Sequence, residues 1–392
     1  MTTATLTLDE IMRSERDNQI PLYAKRDIAL VRGEGAYLYD SDGRRFLDAM
    51  SNYGVAVLGH ADPEFAAALA DQLATLSTGH QSFGNDVRAL LLDQIAQIAP
   101  AELPRAFLSN SGTEAIEAAL KFARAVTGRP NLVAARRGYH GRTFGALAAT
   151  ADPKYRGPFE PLPIPATHVP FNDVDALVAA VDDQTAAVIL EPIQGEAGVY
   201  PADTTFLQAA REVATAKGAL LIADEVQTGF RTGVPFVTLA AGVIPDVMCT
   251  AKALANGFPI GLTLTSEAVS AALPPGAHGS TFGGNPLACR AALVTLTALR
   301  ERDLYAQSVR IGDAIVRSVE GLQSPKVRAV RGRGLMIGIE LKERVTSTLR
   351  ALQDRGVLAL PAGNLVLRLL PPLIWEETQV DELLAALEGV LR

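Results

Sequence analysis

A lysine at the end of a buried strand is the residue whose position in this sequence most directly indicates chemistry. Lys252 follows the apolar run Val247–Thr250 and precedes the short turn Ala253–Gly257. Most lysines lie on solvated surfaces, because burying an unpaired ammonium group is costly. Apolar neighbours lower the pKa of a lysine, and a neutral amine can form a Schiff base with an aldehyde. In isolation such a residue is more often a surface lysine, so the other motifs decide.

An aspartate ends a second predicted strand. Asp224 directly follows the apolar residues Leu220–Ala223, so its carboxylate should be partly buried and should need a cationic or N–H partner. A buried carboxylate is suited to holding a pyridine nitrogen protonated, because the two charges stabilise each other. The alternatives are a helix N-cap and a salt bridge to a nearby arginine.

A strand, a turn of small residues and a helix are predicted over Leu108–Ala115 and the residues that follow. The backbone N–H groups of Ser111, Gly112 and Thr113 would point out of the helix start, where the helix dipole favours a phosphate. An ordinary N-cap fits the same residues equally well. Neither a Walker loop nor the G-x-G-x-x-G fingerprint occurs in the chain.

Three further loops carry polar residues, although each alone could be an ordinary solvated loop. Arg137–Thr143 offers an aromatic ring for stacking and an arginine for a carboxylate. Glu191–Gly198 follows a buried strand, and such loops bind ligands in open α/β sheets. His278–Pro286 combines glycines with hydroxyls, as a second phosphate contact would.

Near the C-terminus Arg368 interrupts an apolar strand and needs a carboxylate partner, for which the Glu191–Gly198 loop supplies Glu196.

Together these groups are what a phosphate-bearing pyridine aldehyde requires. In order and in residues the motifs resemble those of the class III (subgroup II, fold type I) pyridoxal-phosphate aminotransferases, from about Tyr23 to the C-terminus. Within that class the chain is most similar to the acetylornithine aminotransferase branch, which includes enzymes for carrier-protein-bound lysine or ornithine precursors. The class motifs are Asn110–Glu114, Gly141–Thr143, Glu191–Glu196, Asp224–Gly229, Ala251–Leu254 and Ser280–Pro286, and the branch motifs are Gly138–Thr143, Val169–Asp173 and Val330–Gly338.

The resemblance implies a role for each residue toward the cofactor, pyridoxal 5'-phosphate. Lys252 would hold it as a Schiff base and then move a proton during catalysis. Asp224 would pair with the pyridinium nitrogen, Gln227 would contact the ring hydroxyl, and Tyr139 would stack on the ring. The phosphate would be bound by three residues of one subunit and one residue of the other subunit of a homodimer: Ser111, Gly112 and Thr113, with Thr281 from across the interface.

The resemblance also implies how two substrates are admitted. Arg142 would bind a substrate carboxylate, with Tyr23 near it. Glu196 and Arg368 would form a switchable pair, closed while the donor of a terminal amine reacts and open when Arg368 binds glutamate or 2-oxoglutarate.

The elements that must position these residues follow from the apolar pattern. Short apolar runs alternate with helical segments from about residue 105, as in a parallel sheet covered by helices. Before them we expect a helix over residues 8–17, a hairpin over Ile28–Leu47 and two further helices. The six runs are Ala106–Leu108, Leu132–Ala135, Ala186–Leu190, Ala219–Ala223, Val247–Thr250 and Gly261–Thr265; the two helices are Asp62–Thr75 and Asp86–Ile98.

The C-terminal part is predicted to be mixed. A helix over Leu287–Leu299 is followed by five elements: a strand over Gly334–Leu341, a helix over Val345–Arg355, short strands near Val357–Leu360 and Leu365–Leu369, and a helix from Thr378.

The length of 392 residues exceeds what one hydrophobic core usually supports. We therefore predict an α/β protein of fold type I, with a mainly parallel seven-stranded sheet covered by helices and a smaller α+β domain built from both chain ends. The large cofactor-binding domain would span residues 61–286, residues 287–392 would form the C-terminal small domain, and residues 1–60 would be an N-terminal segment joining it.

Composition excludes several other classes. We expect no membrane span, because no apolar run approaches the roughly 20 residues it requires, and no secretory signal at the N-terminus. Two cysteines cannot make a disulfide framework or a four-cysteine metal site, so we predict no metal and a cytoplasmic location. A net charge of -7 argues against nucleic-acid binding.

The favoured function is transfer of the terminal amino group of N-acetylornithine, or a similar N-acylated diamino acid, to 2-oxoglutarate, in arginine or lysine biosynthesis. Alternative donors are carrier-protein-bound lysine or ornithine, free ornithine and 4-aminobutyrate. Basic residues at the presumed mouth suit a carrier, whereas the net charge disfavours one. A non-catalytic ligand-binding regulator on the same fold is the third hypothesis. The basic residues are Arg136, Arg137, Lys154 and Arg156.

Two loops depart from the family pattern. At Phe230–Arg231 the chain is one residue shorter than the family usually is, and Ala255–Asn256 stands where glycines are common. Neither removes a predicted catalytic residue, but both bear on local loop geometry.

Overall fold

The computed structural model describes residues 6–392. The strands of that part are β1 (Leu30–Glu34), β2 (Tyr37–Asp40), β3 (Arg45–Asp48), β4 (Arg105–Ser109), β5 (Asn131–Ala135), β6 (Ala166–Val169), β7 (Thr185–Leu190), β8 (Ile193–Gln194), β9 (Tyr200–Pro201), β10 (Leu220–Asp224), β11 (Val247–Thr250), β12 (Gly261–Thr265), β13 (Val327–Arg333), β14 (Met336–Leu341), β15 (Val357–Leu358), β16 (Leu360–Ala362) and β17 (Val366–Leu369).

The helices are α1 (Leu8–Asn18), α2 (Ser51–Gly54), α3 (Pro63–Thr75), α4 (Asp86–Ile98), α5 (Gly112–Thr127), α6 (Phe144–Ala149), α7 (Pro153–Arg156), α8 (Val174–Ala180), α9 (Gly195–Gly198), α10 (Thr204–Lys217), α11 (Val237–Ala240), α12 (Glu267–Ala271), α13 (Pro286–Glu301), α14 (Leu304–Gly321), α15 (Val345–Asp354) and α16 (Glu377–Leu391). Short 3-10 turns add Gly157–Phe159 and Lys252–Ala255.

A seven-stranded sheet in the order β4-β12-β11-β10-β7-β5-β6 is the centre of the fold. Its strands are parallel, except that β12 runs antiparallel to both β11 and β4. All six apolar runs predicted as strands are confirmed. The seventh strand, β6, was not predicted, because it is an edge strand in which Thr167 and His168 are polar and incompletely buried.

Helices cover both faces of this sheet. Alternate residues of β5 show the arrangement: Leu132 and Ala134 pack in a cluster with α5, whereas Val133 and Ala135 pack in a cluster with α8 and α10. Because successive side chains of a strand point to opposite faces, each central strand contributes to two cores. The predicted α/β class with a mainly parallel, helix-covered sheet is confirmed.

The two ends of the chain meet in smaller sheets. β15 pairs in parallel with β3 in the sheet β1-β2-β3-β15, and a second four-stranded sheet has the order β13-β14-β17-β16. The predicted hairpin over Ile28–Leu47 was wrong in its strand count, because the chain also reverses at Gly35–Ala36 and forms three strands. The helices α1, α3, α4, α13, α15 and α16 agree with their predicted segments to within a few residues.

Two C-terminal elements were missed, α14 and β13. The buried apolar residues of α14, which are Leu304, Ile311, Ile315 and Val319, recur at helical spacing, so the sequence pattern would have allowed this helix to be predicted. β13 is only partly buried and carries three arginines. The domain boundaries stay a prediction, and residues 1–5 of the predicted N-terminal segment lie outside the described residues.

Within residues 6–392, no helix has the length and apolar character that crossing a membrane demands. The same residues contain no group of three or more His, Cys, Asp or Glu side chains arranged to hold a metal ion.

Candidate active site

A cavity of about 740 Å³ lies at the carboxyl edge of the seven-stranded sheet, and we call it the central cavity. This edge is where open α/β sheets bind ligands, because the strand-to-helix loops converge there. Ten residues proposed from sequence line it: Tyr23, Ser111, Gly112, Thr113, Tyr139, Arg142, Glu196, Asp224, Gln227 and Lys252.

Lys252 begins the 3-10 turn that follows β11, and its φ angle is +23°. Buried Ala251 and Ala253 flank it. Burial lowers the pKa of Lys252, and the guanidinium of Arg368 lowers it further, whereas the carboxylate of Glu196 opposes both. The net effect is a pKa below the usual lysine value, which favours the neutral amine that a Schiff base requires.

Asp224 ends β10 and is 4% exposed. Its Oδ2 lies 2.7 Å from Nδ1 of His140, and its Oδ1 accepts a hydrogen bond from the backbone N–H of Val226 at 3.0 Å. The partner that a buried carboxylate needs is therefore His140, to which the sequence interpretation gave no role. The sequence did contain an indication of this residue, because His140 lies inside the Arg137–Thr143 motif.

His140 is itself buried, and its backbone N–H donates to Oγ1 of Thr150 at 2.9 Å. Burial would lower the pKa of His140, but the hydrogen bond to Asp224 and the charges of Asp224 and Glu191 raise it more. The pKa of His140 therefore lies above the usual histidine value.

Glu191, directly after β7, is a second buried carboxyl in this region. It accepts hydrogen bonds from the backbone N–H groups of Tyr139 at 2.8 Å and Gly195 at 3.3 Å. Burial raises the pKa of Glu191 to about 7. This residue, also missed in the sequence, ties the Tyr139 loop and the turn that carries Glu196 to the end of one strand.

The N-terminus of α5 opens toward the central cavity. Ser111 is the N-cap, and its Oγ accepts from the backbone N–H of Glu114 at 3.3 Å, while Glu114 accepts from the backbone N–H of Asn110 at 2.9 Å. Oγ1 of Thr113 lies 2.9 Å from Oγ1 of Thr143. The cap is thus anchored from several directions, and the N–H groups at the helix start provide an anion site.

Arg142 lies at the mouth of the central cavity among aromatic rings. Its Nε donates to the hydroxyl of Tyr139 at 3.2 Å, and its guanidinium carbon is 4.2 Å from the centre of the Tyr155 ring. Tyr23, which lines the same mouth, is 71% exposed. The geometry leaves the guanidinium accessible to a carboxylate entering from solvent.

Glu196 and Arg368 form the ion pair that was predicted. Arg368, on β17, is 0% exposed, and its Nη1 donates to Glu196 Oε1 at 2.6 Å and to Gln227 Oε1 at 2.9 Å. Nε2 of Gln227 donates to the same Glu196 oxygen at 3.2 Å. Among residues 6–392, Nε and Nη2 of Arg368 have no partner although both are buried. A buried guanidinium with two unused donors is prepared to bind a second carboxylate.

The sequence profile of the family described as Aminotransferase class-III matches residues 22–391. The chain belongs to the class-III aminotransferases. It is therefore an enzyme that depends on pyridoxal 5'-phosphate, as members of this family do.

Relatives of this class-III aminotransferase carry two kinds of name. It is 45% identical over 384 residues to the LysW-aminoadipate semialdehyde transaminase of Deinococcus radiodurans, covering 97% of this chain and 90% of the relative. It is 44% identical over 372 residues to the acetylornithine aminotransferase of Mycobacterium bovis, covering 94% and 93%. Among solved structures, the ornithine aminotransferase of Toxoplasma gondii superposes with a TM-score of 0.92 at 30% identity, covering 98% of this chain and 94% of the other.

The central cavity of this class-III aminotransferase fits pyridoxal phosphate in its donor set. Three kinds of group line it: a helix N-terminus with two hydroxyl residues, which would suit the phosphate; a carboxylate at the end of β10, which would suit the ring nitrogen; and a lysine of lowered pKa, which would suit the aldehyde. These are the three recognition groups that this cofactor requires. Gln227 lines the same cavity, although its amide is also engaged by Glu196 and Arg368.

Thr281 is the one predicted cofactor residue that lines neither this cavity nor the basic cavity described below. It is exposed, next to Phe282, which is 66% exposed. Its assignment to the site of a partner subunit stays a prediction.

The two loops that depart from the class-III pattern have defined geometry. Phe230 has a φ angle of +66°, and Arg231 after it is fully buried. The guanidinium of Arg231 donates to the carbonyls of Leu335 and Pro371, and burial lowers its pKa to about 9. In the other loop Asn256 adopts a left-handed conformation, which asparagine tolerates.

Proposed function

We propose that this aminotransferase moves the terminal amino group of an N-acylated diamino acid to 2-oxoglutarate, giving a semialdehyde and glutamate. The observation that carries the proposal is the Glu196–Arg368 pair, whose arginine keeps two buried donors without a partner among the described residues. An enzyme that alternates between a terminal amine and a dicarboxylic acid needs a cation that can be covered and uncovered.

When bound, pyridoxal phosphate withdraws the electrons of the bond that breaks at the carbon bearing the amino group. Lys252 would hold the cofactor through Nζ, and the same atom would then carry a proton between the two reacting carbons. Asp224 would hold the proton of the ring nitrogen, and the contact of 2.7 Å between Nδ1 of His140 and Oδ2 of Asp224 fixes the orientation of that carboxylate. The N–H groups at the start of α5 would hold the phosphate.

Substrate orientation depends on two arginines. Arg142 binds the carboxylate of the donor at the mouth, beside Tyr23, so that the terminal amine reaches the centre of the cavity. While this donor reacts, Glu196 covers Arg368. When 2-oxoglutarate enters, Glu196 moves away and the guanidinium of Arg368 takes the carboxylate next to the keto group.

Replacing Arg368 with methionine should raise the KM for 2-oxoglutarate by roughly 10- to 100-fold, because a charge-assisted hydrogen bond contributes about 1.5–3 kcal/mol. The half-reaction with the amino donor should change far less, since that substrate does not use Arg368. Each half-reaction can be followed separately through the visible absorbance of the bound cofactor. Equal losses in both half-reactions would contradict the proposed switch, and Glu196→Gln is the matched variant that removes the opposite charge.

A second candidate donor is the same diamino acid attached to an acidic carrier protein. A cavity of about 750 Å³, which we call the basic cavity, shares Tyr53, Tyr139, Tyr155 and Glu196 with the central cavity. Its wall contains the basic residues noted in the sequence, Arg136, Arg137, Lys154 and Arg156, together with His168. This local charge favours a carrier despite the net charge of -7, and the name of the Deinococcus relative, which refers to LysW, agrees with it.

Reversing the charge of the basic cavity can distinguish the two candidate donors, the acetylated one and the carrier-linked one. Arg136→Glu combined with Lys154→Glu should lower kcat/KM for LysW-linked lysine by about tenfold and weaken its salt dependence, because complementary charges accelerate association. The rate with N-acetylornithine should not change. Arg317→Glu is the control, since this exposed arginine of α14 lines neither cavity.

A panel of N-acetylornithine, LysW-linked lysine, free ornithine and 4-aminobutyrate completes the test, with 2-oxoglutarate as acceptor. Preference for either unacylated donor would overturn the proposal.

We also propose a homodimer in which Thr281 of one subunit reaches the phosphate held by the other.

A further inference from the structure

The turn that carries Glu196 is fastened at its far end by an arginine outside both cavities. Arg331, on β13, donates from Nε to the backbone carbonyl of Gly198 at 2.8 Å, and from Nη1 to Oε2 of Glu340 at 2.9 Å. Gly198 is the last residue of α9, the single turn whose second residue is Glu196. One guanidinium therefore connects this turn to the sheet β13-β14-β17-β16.

Arg331 is held in this position by an aromatic ring and a carboxylate. Its guanidinium carbon lies 3.9 Å from the centre of the Tyr200 ring, and the Tyr200 hydroxyl donates to the same Glu340 oxygen at 3.1 Å. The side chains of Arg331 and Glu340 are only 16% and 14% exposed. Burial would raise the pKa of Glu340, but Arg331 and Tyr200 lower it more, so the pair is ionised. We call these three residues the Arg331 clamp.

Strand register places the clamp level with Arg368. In this sheet Arg331 pairs with Gly338 across β13 and β14, and Gly338 pairs with Arg368 across β14 and β17. Residues paired directly across strands project to the same face, so the two arginines stand on either side of Gly338. Any side chain at Gly338 would meet the carbonyl of Gly198, because a Cβ there would lie 2.9 Å from that oxygen.

The α9 turn thus lies over Gly338 between two arginines. Arg368 binds the carboxylate of Glu196, and Arg331 binds the carbonyl of Gly198, the last residue of the turn. Gly198 has a φ angle of +131°, and a Cβ there would lie 2.9 Å from Cγ2 of Val366 on β17. With this glycine the turn lies close against the sheet. A turn fixed at its C-terminal end restricts Glu196 to a motion of its side chain.

We propose that Arg331 is a positioning residue that sets the balance between the closed and open states of the Glu196–Arg368 pair. Through that balance it sets the selectivity between the terminal-amine donor and glutamate. The inference rests on the proposed function, in which this pair opens and closes. Arg331 does not touch either substrate, and it acts by keeping the backbone of the turn where Glu196 reaches Arg368.

The test is the ratio of kcat/KM for the terminal-amine half-reaction to that for the glutamate half-reaction. Arg331→Met keeps the apolar stem but removes every donor, so Glu196 should cover Arg368 less often and the ratio should fall by about tenfold. Arg328→Met is the matched control. Arg328 contacts the other oxygen of Glu340 at 3.2 Å and is 54% exposed, so its loss should leave the ratio unchanged.

Glu196→Ala separates the inference from the function on which it rests. If Arg331 acts through Glu196, the Glu196→Ala protein should have the altered ratio already, and adding Arg331→Met should not change it further. A normal ratio in Glu196→Ala would overturn the proposed switch itself. A changed ratio in Glu196→Ala with a normal ratio in Arg331→Met, or additive effects in the double variant, would overturn only the role of Arg331.

Should Arg331→Met not fold because buried Glu340 is left without its cation, Arg331→Met combined with Glu340→Gln serves the same purpose. The double variant removes both charges of the pair and every donor to the carbonyl of Gly198, so the same fall in the ratio is expected with a normal unfolding temperature. A normal ratio in the folded double variant would overturn the inference.

Discussion

Alanine in place of Lys252 should lower kcat by at least about 10⁴-fold, the scale seen when a covalent catalytic group is removed. The variant loses both the amine that holds the cofactor and the atom that carries the proton. The thermal unfolding of the cofactor-free protein should change little, because burial already disfavours the charged form of the Lys252 amine. Turnover close to that of the unaltered enzyme would contradict the assignment.

Lys252→Arg is the matched control for charge. The guanidinium remains protonated at any working pH, so this variant keeps a cation in the cavity but cannot offer a neutral amine. It should be as inactive as the alanine variant. The absorbance spectrum gives a second measurement, since in both variants dialysis should remove cofactor that the unaltered enzyme retains.

Asparagine in place of Asp224 is expected to have the second largest effect. A close opposite charge shifts a pKa by about 1–3 units, so removing it should lower kcat by roughly 10- to 1,000-fold. The pH-dependent spectrum of the bound cofactor should shift as well, because the ring nitrogen then loses its proton more readily. An unchanged spectrum together with full activity would exclude the proposed role.

Asp246→Asn provides the comparison for Asp224→Asn. Asp246 is a partly buried aspartate of the same sheet region, but it lies just before the start of β11 and is paired with Arg211 at 2.7 Å. Its replacement should reduce stability without altering the cofactor spectrum. A loss of activity common to both variants would point to a general structural effect.

The positions of Lys252 and Asp224 could be predicted from the sequence because each directly follows an unbroken apolar run. Buried parallel strands produce such runs, and their carboxyl ends meet at one edge of the sheet. The partner of Asp224 could not be predicted in the same way. His140 lies 84 residues away in sequence, and only the strand order β10-β7-β5 brings the two loops together.

Contacts that depend on the register between strands could not be predicted from the sequence either. Arg331 belongs to a motif noted in the sequence, yet its relation to Arg368 depends on both residues pairing with Gly338 across different strands. Gln227 was assigned to the cofactor ring, whereas its amide also bridges Glu196 and Arg368. A sequence pattern gives the face on which a residue lies, but not which residue of another strand stands beside it.

The pairing of β15 with β3 has a consequence for how the protein is made. The backbone of Leu47 donates to the carbonyl of Gly356, and that of Ala49 to the carbonyl of Leu358, so the first sheet needs residues from near the end of the chain. During synthesis β3 leaves the ribosome long before β15. Until β15 has been made, the edge of β3 is unpaired and can pair with other chains. We therefore expect a polypeptide that stops before β15 to aggregate rather than to gain partial activity.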